Sequence, residues 1–176
     1  ALRSANFTQV DGDNFAGYHK AGLNLSGLVY IRLGQKFAPS FELCYAQKGS
    51  RSGNNQYALA NDKQTGFKKY RINLNYAELP LLLNYFDEKK SNFGAGFSFS
   101  YLMTSKESYT TSTGITYEQD AKLFPFRKTD VNFLLNGNAH IWKGIFINLR
   151  YAYSLYSIRK NFNPFTGRAQ QFNNIW

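Results

Sequence analysis

Cysteine is almost absent from this sequence of 176 residues, which has one Cys and only two His. A lone thiol, Cys44, excludes an internal disulfide, and no cluster of His, Cys, Asp or Glu has the spacing of metal ligands. Long apolar runs are missing too. No stretch approaches about 18 consecutive apolar residues, so a transmembrane helix is excluded. A membrane β-barrel is not excluded, because its strands carry only about 10 residues each and alternate in polarity.

Aromatic residues and basic charge are plentiful by contrast. The chain has 16 Phe, 13 Tyr and 14 Gly, without long runs of helix-forming residues, which favours strands. The length suits one domain spanning 1–176. The first residue is Ala1 rather than Met, so the lack of a visible signal peptide carries little weight. A net charge of +10 indicates nucleic acid, an anionic membrane surface or an acidic partner.

Apolar and polar residues alternate with period two in six segments, as in strands with two different faces. The segments are Ala21–Leu33, Phe37–Tyr45, Tyr70–Tyr85, Phe93–Tyr101, Val131–Ile141 and Ile145–Leu155. In the third of them the apolar positions change phase near Ala77–Glu78. The change predicts a β-bulge there, beside Pro80, which cannot donate to a strand ladder.

Two weaker segments, Ala1–Gln9 and Gln170–Trp176, bring the predicted strand count to about eight. The last is too short to span a membrane. We therefore expect either that the barrel closes imperfectly or that the chain continues past Trp176.

The connections between these strands alternate in length. The short ones are Gly34–Lys36, Asp87–Lys90 and Trp142–Gly144, and the long ones are Val10–Gly17, Lys48–Lys69, Thr104–Lys128 and Ser157–Ala169. In an up-and-down antiparallel barrel every second connection lies at the same end. The pattern thus predicts one end with tight turns and one with long loops, as in outer-membrane barrels with short periplasmic turns and long extracellular loops.

Alternation alone leaves open whether the apolar face looks outward to lipid or inward to a ligand cavity, as in a soluble lipocalin-like barrel. The polar face consists mainly of Gly, Ser, Asn and Ala, which suits a narrow interior better than a solvated exterior. Bulky aromatic side chains recur near strand ends on the apolar face, as in interfacial girdles. Both features favour a transmembrane barrel in a bacterial outer membrane.

The few charges on the polar face form a set of both signs. We expect Lys20, Arg32 and Arg150 to pair with Glu42, Glu78 and Asp130 inside the lumen, since an unpaired buried ion costs several kcal/mol. Such a network would plug an eight-stranded barrel. A narrow polar conduit or proton path is the alternative, so conduction through the lumen stays open.

Five motifs of the chain have a recognisable pattern: Lys20–Asn24, Phe41–Gly49, Tyr76–Tyr85 with its Glu-Leu-Pro run, Gly94–Gly96 and Leu149–Leu155. Together they resemble the PorT-like outer-membrane β-barrel family of Bacteroidetes. The likeness covers nearly the whole chain and departs at the C-terminus, where that family usually has a longer closing strand. It implies an accessory subunit of an outer-membrane secretion (type IX), insertion or uptake machine, and no shared catalytic motif.

Residues for catalysis, cofactors or metals are few. The two histidines, His19 and His140, fall at opposite ends of the predicted barrel and cannot share a site. Asp11–Asn14 is only faintly similar to a calcium loop, and a polar turn explains it. We therefore predict no enzymatic activity, no cofactor and no metal.

Most of the 21 Lys and Arg lie in or beside the long loops. Seven fall near the expected outer interface, where lipid A phosphates of lipopolysaccharide offer charge-assisted hydrogen bonds: Lys68, Lys69, Arg71, Arg127, Lys128, Arg159 and Lys160. A solvated loop surface is the alternative. Nucleic acid is not an expected partner, because the basic residues are not interleaved with aromatics on one exposed face.

Three functions remain after these arguments. The first is a non-enzymatic structural or accessory subunit that contacts outer-membrane lipid and other outer-membrane proteins or lipoproteins. The second is a stand-alone adhesion or defence barrel of the OmpX type, acting through its loops. The third is a lipid A-modifying enzyme.

Overall fold

The structure is a computed structural model that describes residues 2–13, 17–52, 67–88, 91–111, 113–118, 125–143, 145–159 and 167–176. Within these ranges, the side chains of residues 2, 3, 13, 67, 68, 146 and 167–169 are not described.

The described residues form antiparallel strands that close into a ring. The strands are β1 Leu2–Asp13, β2 Lys20–Tyr30, β3 Phe37–Arg51, β4 Phe67–Phe86, β5 Asn92–Thr111, β6 Thr116–Glu118, β7 Thr129–Trp142, β8 Ile145–Ser154 and β9 Gly167–Ile175. The order β4-β3-β2-β1-β9-β8-β7-β5 is closed by pairing of β4 with β5. The short β6 pairs with the far end of β5, outside this ring. The predicted barrel of about eight strands is confirmed.

The apolar face of the sheet points outward. Leu43 on β3 is 71% exposed and Leu149 on β8 is 61% exposed, whereas Asn132 on β7 is 0% exposed. A large exposed apolar surface is stable in hydrocarbon and not in water. The alternative of a soluble barrel with an apolar interior is therefore wrong.

Tight turns lie at one end of the barrel, which we call the turn end; the other is the loop end. Gly34 in the β2–β3 turn has φ +77°, a left-handed conformation that favours glycine. The β4–β5 turn is closed by a bond of 2.9 Å from the Asp87 N–H to the Ser91 carbonyl. Between β7 and β8 only two residues intervene. The predicted alternation of short and long connections is confirmed.

Four strands extend beyond their predicted ends. β1 continues to Asp13, β3 continues to Arg51, β4 begins at Phe67 and β5 continues to Thr111, so parts of the predicted loops Val10–Gly17, Lys48–Lys69 and Thr104–Lys128 are strand. The polar outward positions of these extensions conceal their strand character in the sequence. They lie beyond the apolar band, where the outward face no longer meets lipid.

The predicted bulge near Ala77–Glu78 is wrong. Inward positions on β4 stay even-numbered throughout, from Ile72 and Leu74, both 0% exposed, to Leu82, 4% exposed. The phase change in the sequence reflects a change of surroundings instead. Toward the loop end the interior becomes apolar while the exterior becomes polar.

The bulge lies on the neighbouring strand. Asn75 pairs with Thr104 but Tyr76 pairs with Leu102, which leaves Met103 on β5 without an opposite residue. Inward positions on β5 therefore change from even to odd numbers. Pro80 affects a different pair of strands. The β3–β4 ladder has no pairs at Leu79 and Pro80, because proline has no N–H to donate.

The ring is joined least extensively between β8 and β9. Only Ala152 with Ile175 and Tyr153 with Asn174 are paired there. On its other side β9 pairs with β1 over a longer stretch, and Trp176 exchanges two backbone bonds of 2.8 and 2.9 Å with Phe7. β9 is therefore held in the ring mainly by its pairing with β1.

Candidate functional sites in the lumen and at the loop end

Glu42 on β3 and Arg150 on β8 form the ion pair nearest the turn end. The two guanidinium nitrogens Nη1 and Nη2 donate to Oε2 and Oε1 at 2.8 and 2.6 Å, and Nε donates to Asn136 Oδ1 at 3.1 Å. The Glu42 side chain is 2% exposed and that of Arg150 is 26% exposed. A bidentate pair of this geometry fixes both side chains across the lumen.

Lys48 and Glu78 form a second ion pair, closer to the loop end, with both side chains at most 10% exposed. The Lys48 ammonium lies 5.1 Å from the ring centroid of Tyr76 and donates to Asn132 Oδ1 at 3.4 Å. Lys20 Nζ donates in turn to the Lys48 carbonyl oxygen at 2.8 Å. The low surrounding polarity makes each of these contacts stronger than in water.

Sequence reasoning missed Lys48 because it assigned the residue to a loop. A usable signal was present, since Lys48 continues the inward positions Glu42, Cys44 and Ala46 of the same strand. A basic residue in that phase is expected to face the lumen.

Neither Asp130 nor Arg32 forms a predicted ion pair among the described residues. Asp130 is buried among neutral hydrogen-bond donors, whereas Arg32 is exposed. Asp130 is 1% exposed and accepts hydrogen bonds of 2.9 Å each from Ser154 and Asn173. Arg32 lies exposed beyond the end of β2 and joins none of the ion pairs among the described residues. Its assignment to the lumen network is corrected accordingly, because β2 ends at Tyr30.

Arg159, predicted to contact lipid A, lies instead inside the loop end and is 2% exposed. Its Nη2 is 3.0 Å from Glu107 Oε2, and its Nε donates to Gln171 Oε1 at 2.8 Å. The guanidinium stacks 4.0 Å from the centroid of Phe126, and the Tyr70 hydroxyl donates to Glu107. The prediction for Arg159 is wrong, because the chain after β8 turns inward over the lumen.

An apolar cluster surrounds this ion pair and fills the loop end of the interior. It joins residues from strands on different sides of the ring: Val10, Tyr70, Ile72, Leu74, Tyr76, Leu102, Phe126 and Ile158. Among the described residues, these side chains pack together and occupy the interior at this level.

Below the cluster, toward the turn end, lies a cavity of about 1160 Å³. Polar side chains such as Ser26, Asn138, Glu42 and Arg150 line it, and no member of the apolar cluster does. Lys48 and Glu78 also line it, so the cavity is a vestibule that ends at this ion pair, where the apolar cluster begins with Tyr76.

A group of basic side chains lies on the outer surface, beyond the apolar band of β3, β4 and β5. Arg51 pairs directly with Arg71, and Lys106 is opposite Asn73 one row below. Lys69 follows on β4, and all four are exposed. We call Arg51, Lys69, Arg71 and Lys106 the basic patch.

The structure separates the other predicted lipid A contacts. Arg127 and Lys128 are exposed just before β7 begins. The side chain of Lys68 and the whole of Lys160 lie outside the described residues. Arg51 and Lys106 were not among the predicted contacts, because both were taken for loop residues of unknown direction.

The comparison with known protein families matches residues 3–160 to the family described as outer membrane protein beta-barrel domain. The chain belongs to this family. No curated protein and no solved structure matches the chain. Membership places the barrel in the bacterial outer membrane, with its tight turns on the periplasmic side and its loops outside.

Within this outer-membrane barrel the described residues offer little for catalysis. His19 precedes β2 at the loop end, whereas His140 pairs with Phe146 near the turn end. No group of three or more His, Cys, Asp or Glu in the described ranges is placed to hold a metal ion. No helix there is long and apolar enough to cross a membrane.

We expect the barrel not to conduct ions, because the vestibule ends at the apolar cluster. Reconstitution in a planar bilayer should give no discrete current steps, while a porin measured in the same bilayer gives them. A variant that truncates the cluster, Tyr76→Ala with Leu102→Ala, opens space in the closed layer and should conduct if it folds. Reproducible steps from the wild-type protein would contradict a closed lumen.

Proposed function

We propose that this barrel is a non-enzymatic, non-conducting subunit of an outer-membrane protein complex, and that it acts through its loop end. The observation that carries the proposal is the length of β4 and β5, which have 20 residues each. A membrane-spanning strand needs only about 9–11. About half of this hairpin therefore stands outside the membrane.

The protruding part is a sheet of four strands, made by the loop ends of β3, β4 and β5 together with β6. It is backed on its inner face by the buried pair of Arg159 and Glu107 and by the apolar cluster. The rings of Tyr109 and Tyr117 stack 5.5 Å apart and join β5 to β6. A rigid support of this kind suits a surface that binds a protein partner.

Exposed apolar side chains occur at the edge of this sheet. Ile115 is 54% exposed and Tyr117 is 45% exposed, and Tyr117 lies level with the basic patch, since it pairs with Tyr109, which pairs with Tyr70 between Lys69 and Arg71. Neither faces hydrocarbon at that height. Apolar residues exposed to water and held on a rigid strand are typical of a contact surface.

The resemblance to PorT-like barrels supports the same function and reduces the number of candidate complexes. We infer a secretion, insertion or uptake machine, with the type IX secretion apparatus as its first candidate, and partners among outer-membrane proteins or lipoproteins. A sealed lumen fits a subunit that positions other components better than one that transports cargo itself.

The test is purification of the tagged barrel from its own membrane in mild detergent after light crosslinking. We expect a complex far larger than the 20.2 kDa chain, with partners identified by mass spectrometry. The variant Ile115→Asp with Tyr117→Asp should release the barrel as a monomer. Gln35→Asp in an exposed periplasmic turn should leave the complex intact.

Two other results would overturn the proposal. A monomer that binds host surface ligands would indicate the stand-alone OmpX type. Altered lipid A in a deletion strain, restored by the purified barrel with lipid A as its only substrate, would indicate an enzyme.

A further inference from the structure

The basic patch places like charges side by side, with no counter-ion among the described residues. Arg51 and Arg71 are directly opposite each other on neighbouring strands, where facing Cβ atoms are about 5 Å apart and like charges destabilise the pair. Lys106 lies one row lower on the next strand. Among the described residues, no member of the patch forms an ion pair.

The nearest carboxylate on this surface in the described part of the chain is that of Glu118. It pairs with Ser108 on the far side of β5, and Ser108 in turn pairs with Arg71. Two strand spacings, about 10 Å, separate Glu118 from Arg71, and Glu118 is a diagonal neighbour of Lys106, about 7–8 Å away, without an ion pair to it in the described residues. An anion from outside the chain would therefore relieve a repulsion between Arg51 and Arg71 that no described carboxylate relieves.

Directly below the basic patch the outer surface has an apolar groove of about 350 Å³. The groove exists because Ala77, a small side chain, lies between Tyr45 and Tyr101 on the adjacent strands. Its outward lining residues come from four neighbouring strands: Leu43, Ala77, Leu79, Phe99, Tyr101, Thr129 and Val131.

The groove and the patch lie along the same strand. From Ala77 to Asn73, the position opposite Lys106, is four residues, or about 13 Å at about 3.3 Å per residue, and to Arg71 is six residues, or about 20 Å. Lys128 adds an exposed basic side chain immediately before Thr129 at the rim of the groove. Long Lys and Arg side chains shorten the gap by extending along the surface.

We propose that the basic patch and the apolar groove form one binding site for a phosphorylated acyl glycolipid of the outer leaflet, of the lipid A class. The phosphate is held by Arg51, Arg71 and Lys106 through charge-assisted hydrogen bonds, and an acyl chain lies in the groove over Ala77. The site is at the height where such a headgroup meets its chains. It is independent of the proposed subunit role, because a monomeric barrel would carry it equally.

The test measures binding of labelled bisphosphorylated lipid A to the full chain in detergent micelles. Arg51→Gln with Arg71→Gln should weaken binding about tenfold or more, since two charge-assisted bonds are lost. Ala77→Leu should weaken it severalfold by filling the groove. All three positions face outward, so folding is checked by circular dichroism and is expected to be unchanged.

Matched controls separate this site from general attraction to a basic protein. Lys36→Gln with Lys143→Gln removes two exposed charges at the turn end, and Ala139→Leu enlarges an outward alanine away from the groove. Neither should alter binding. Inorganic pyrophosphate and dephosphorylated lipid A should both compete poorly, because each offers one half of the ligand.

The proposal is overturned if Ala77→Leu leaves binding unchanged, since the site would then recognise an anion alone. It is also overturned if the turn-end control weakens binding as much as the double arginine variant, or if phosphatidylglycerol micelles bind as tightly as lipid A. Each of these outcomes would indicate a surface attraction without a built site.

Discussion

Replacing Glu78 by Gln should lower the free energy of unfolding by about 3–5 kcal/mol, the usual effect of removing one partner of a buried ion pair. The change leaves the Lys48 ammonium inside the lumen with only the Tyr76 ring and weak neutral acceptors. Solvent compensates little, because both side chains of the pair are at most 10% exposed although the vestibule reaches them. The measurement is the urea midpoint of the barrel in lipid vesicles.

The double variant Glu78→Gln with Lys48→Met provides the control for the Glu78 prediction. It removes both charges and keeps most of the side-chain volume, so it should recover most of the lost stability. A single variant as stable as the wild type would show that water reaches the Lys48 ammonium. The vestibule would then extend past the ion pair.

Replacing Gly96 by Ala should destabilise the barrel by about 3 kcal/mol or more, or prevent folding, because the core there has no room for one methyl group. A Cβ at Gly96 would lie 1.9 Å from the backbone oxygen of Leu81. That atom belongs to the neighbouring strand β4 and cannot rotate aside as a side chain does. The two strands would have to separate locally.

Gly27 on β2 is the matched control, because a Cβ there meets nothing within 4 Å. Gly27→Ala should be neutral or stabilise by less than about 1 kcal/mol, through lower entropy of the unfolded chain. The readout for both variants is the fraction folded in vesicles against urea. Equal stability of the two variants would show that β4 and β5 adjust at no cost.

The sequence predicted the barrel because alternation is local and obligatory in a strand with lipid on one side. Each of the six clearly alternating segments corresponds to a barrel strand. The ends of β3, β4 and β5 were missed for a physical reason. Beyond the membrane the outward face, which includes Arg51 and Lys106, is polar and the inward face is apolar. The apolar and polar positions of the strand are therefore exchanged relative to the membrane-spanning part.

The candidate sites were predicted less well than the fold. Glu42 and Arg150 stand in the polar phase of clear strands, so their lumen position follows from alternation. Lys48 continues the same phase but lies where the predicted strand had already ended. The direction of Arg159 does not follow from alternation, because it depends on where the chain after β8 turns inward. The bulge at Met103 depends on tertiary pairing, which periodicity in one strand cannot reveal.

The bulge at Met103 determines which single-residue changes in length β5 tolerates during evolution. With the surplus residue Met103 before them, Lys106 faces the outer surface and Glu107 faces the interior. Loss of the surplus residue would remove the bulge and leave a regular ladder, in which Lys106 still pairs with Asn73 and Glu107 with Ile72. Relatives of this barrel are therefore expected either to keep the surplus residue with its bulge or to have one residue fewer without it, and in both cases the two charges keep their faces.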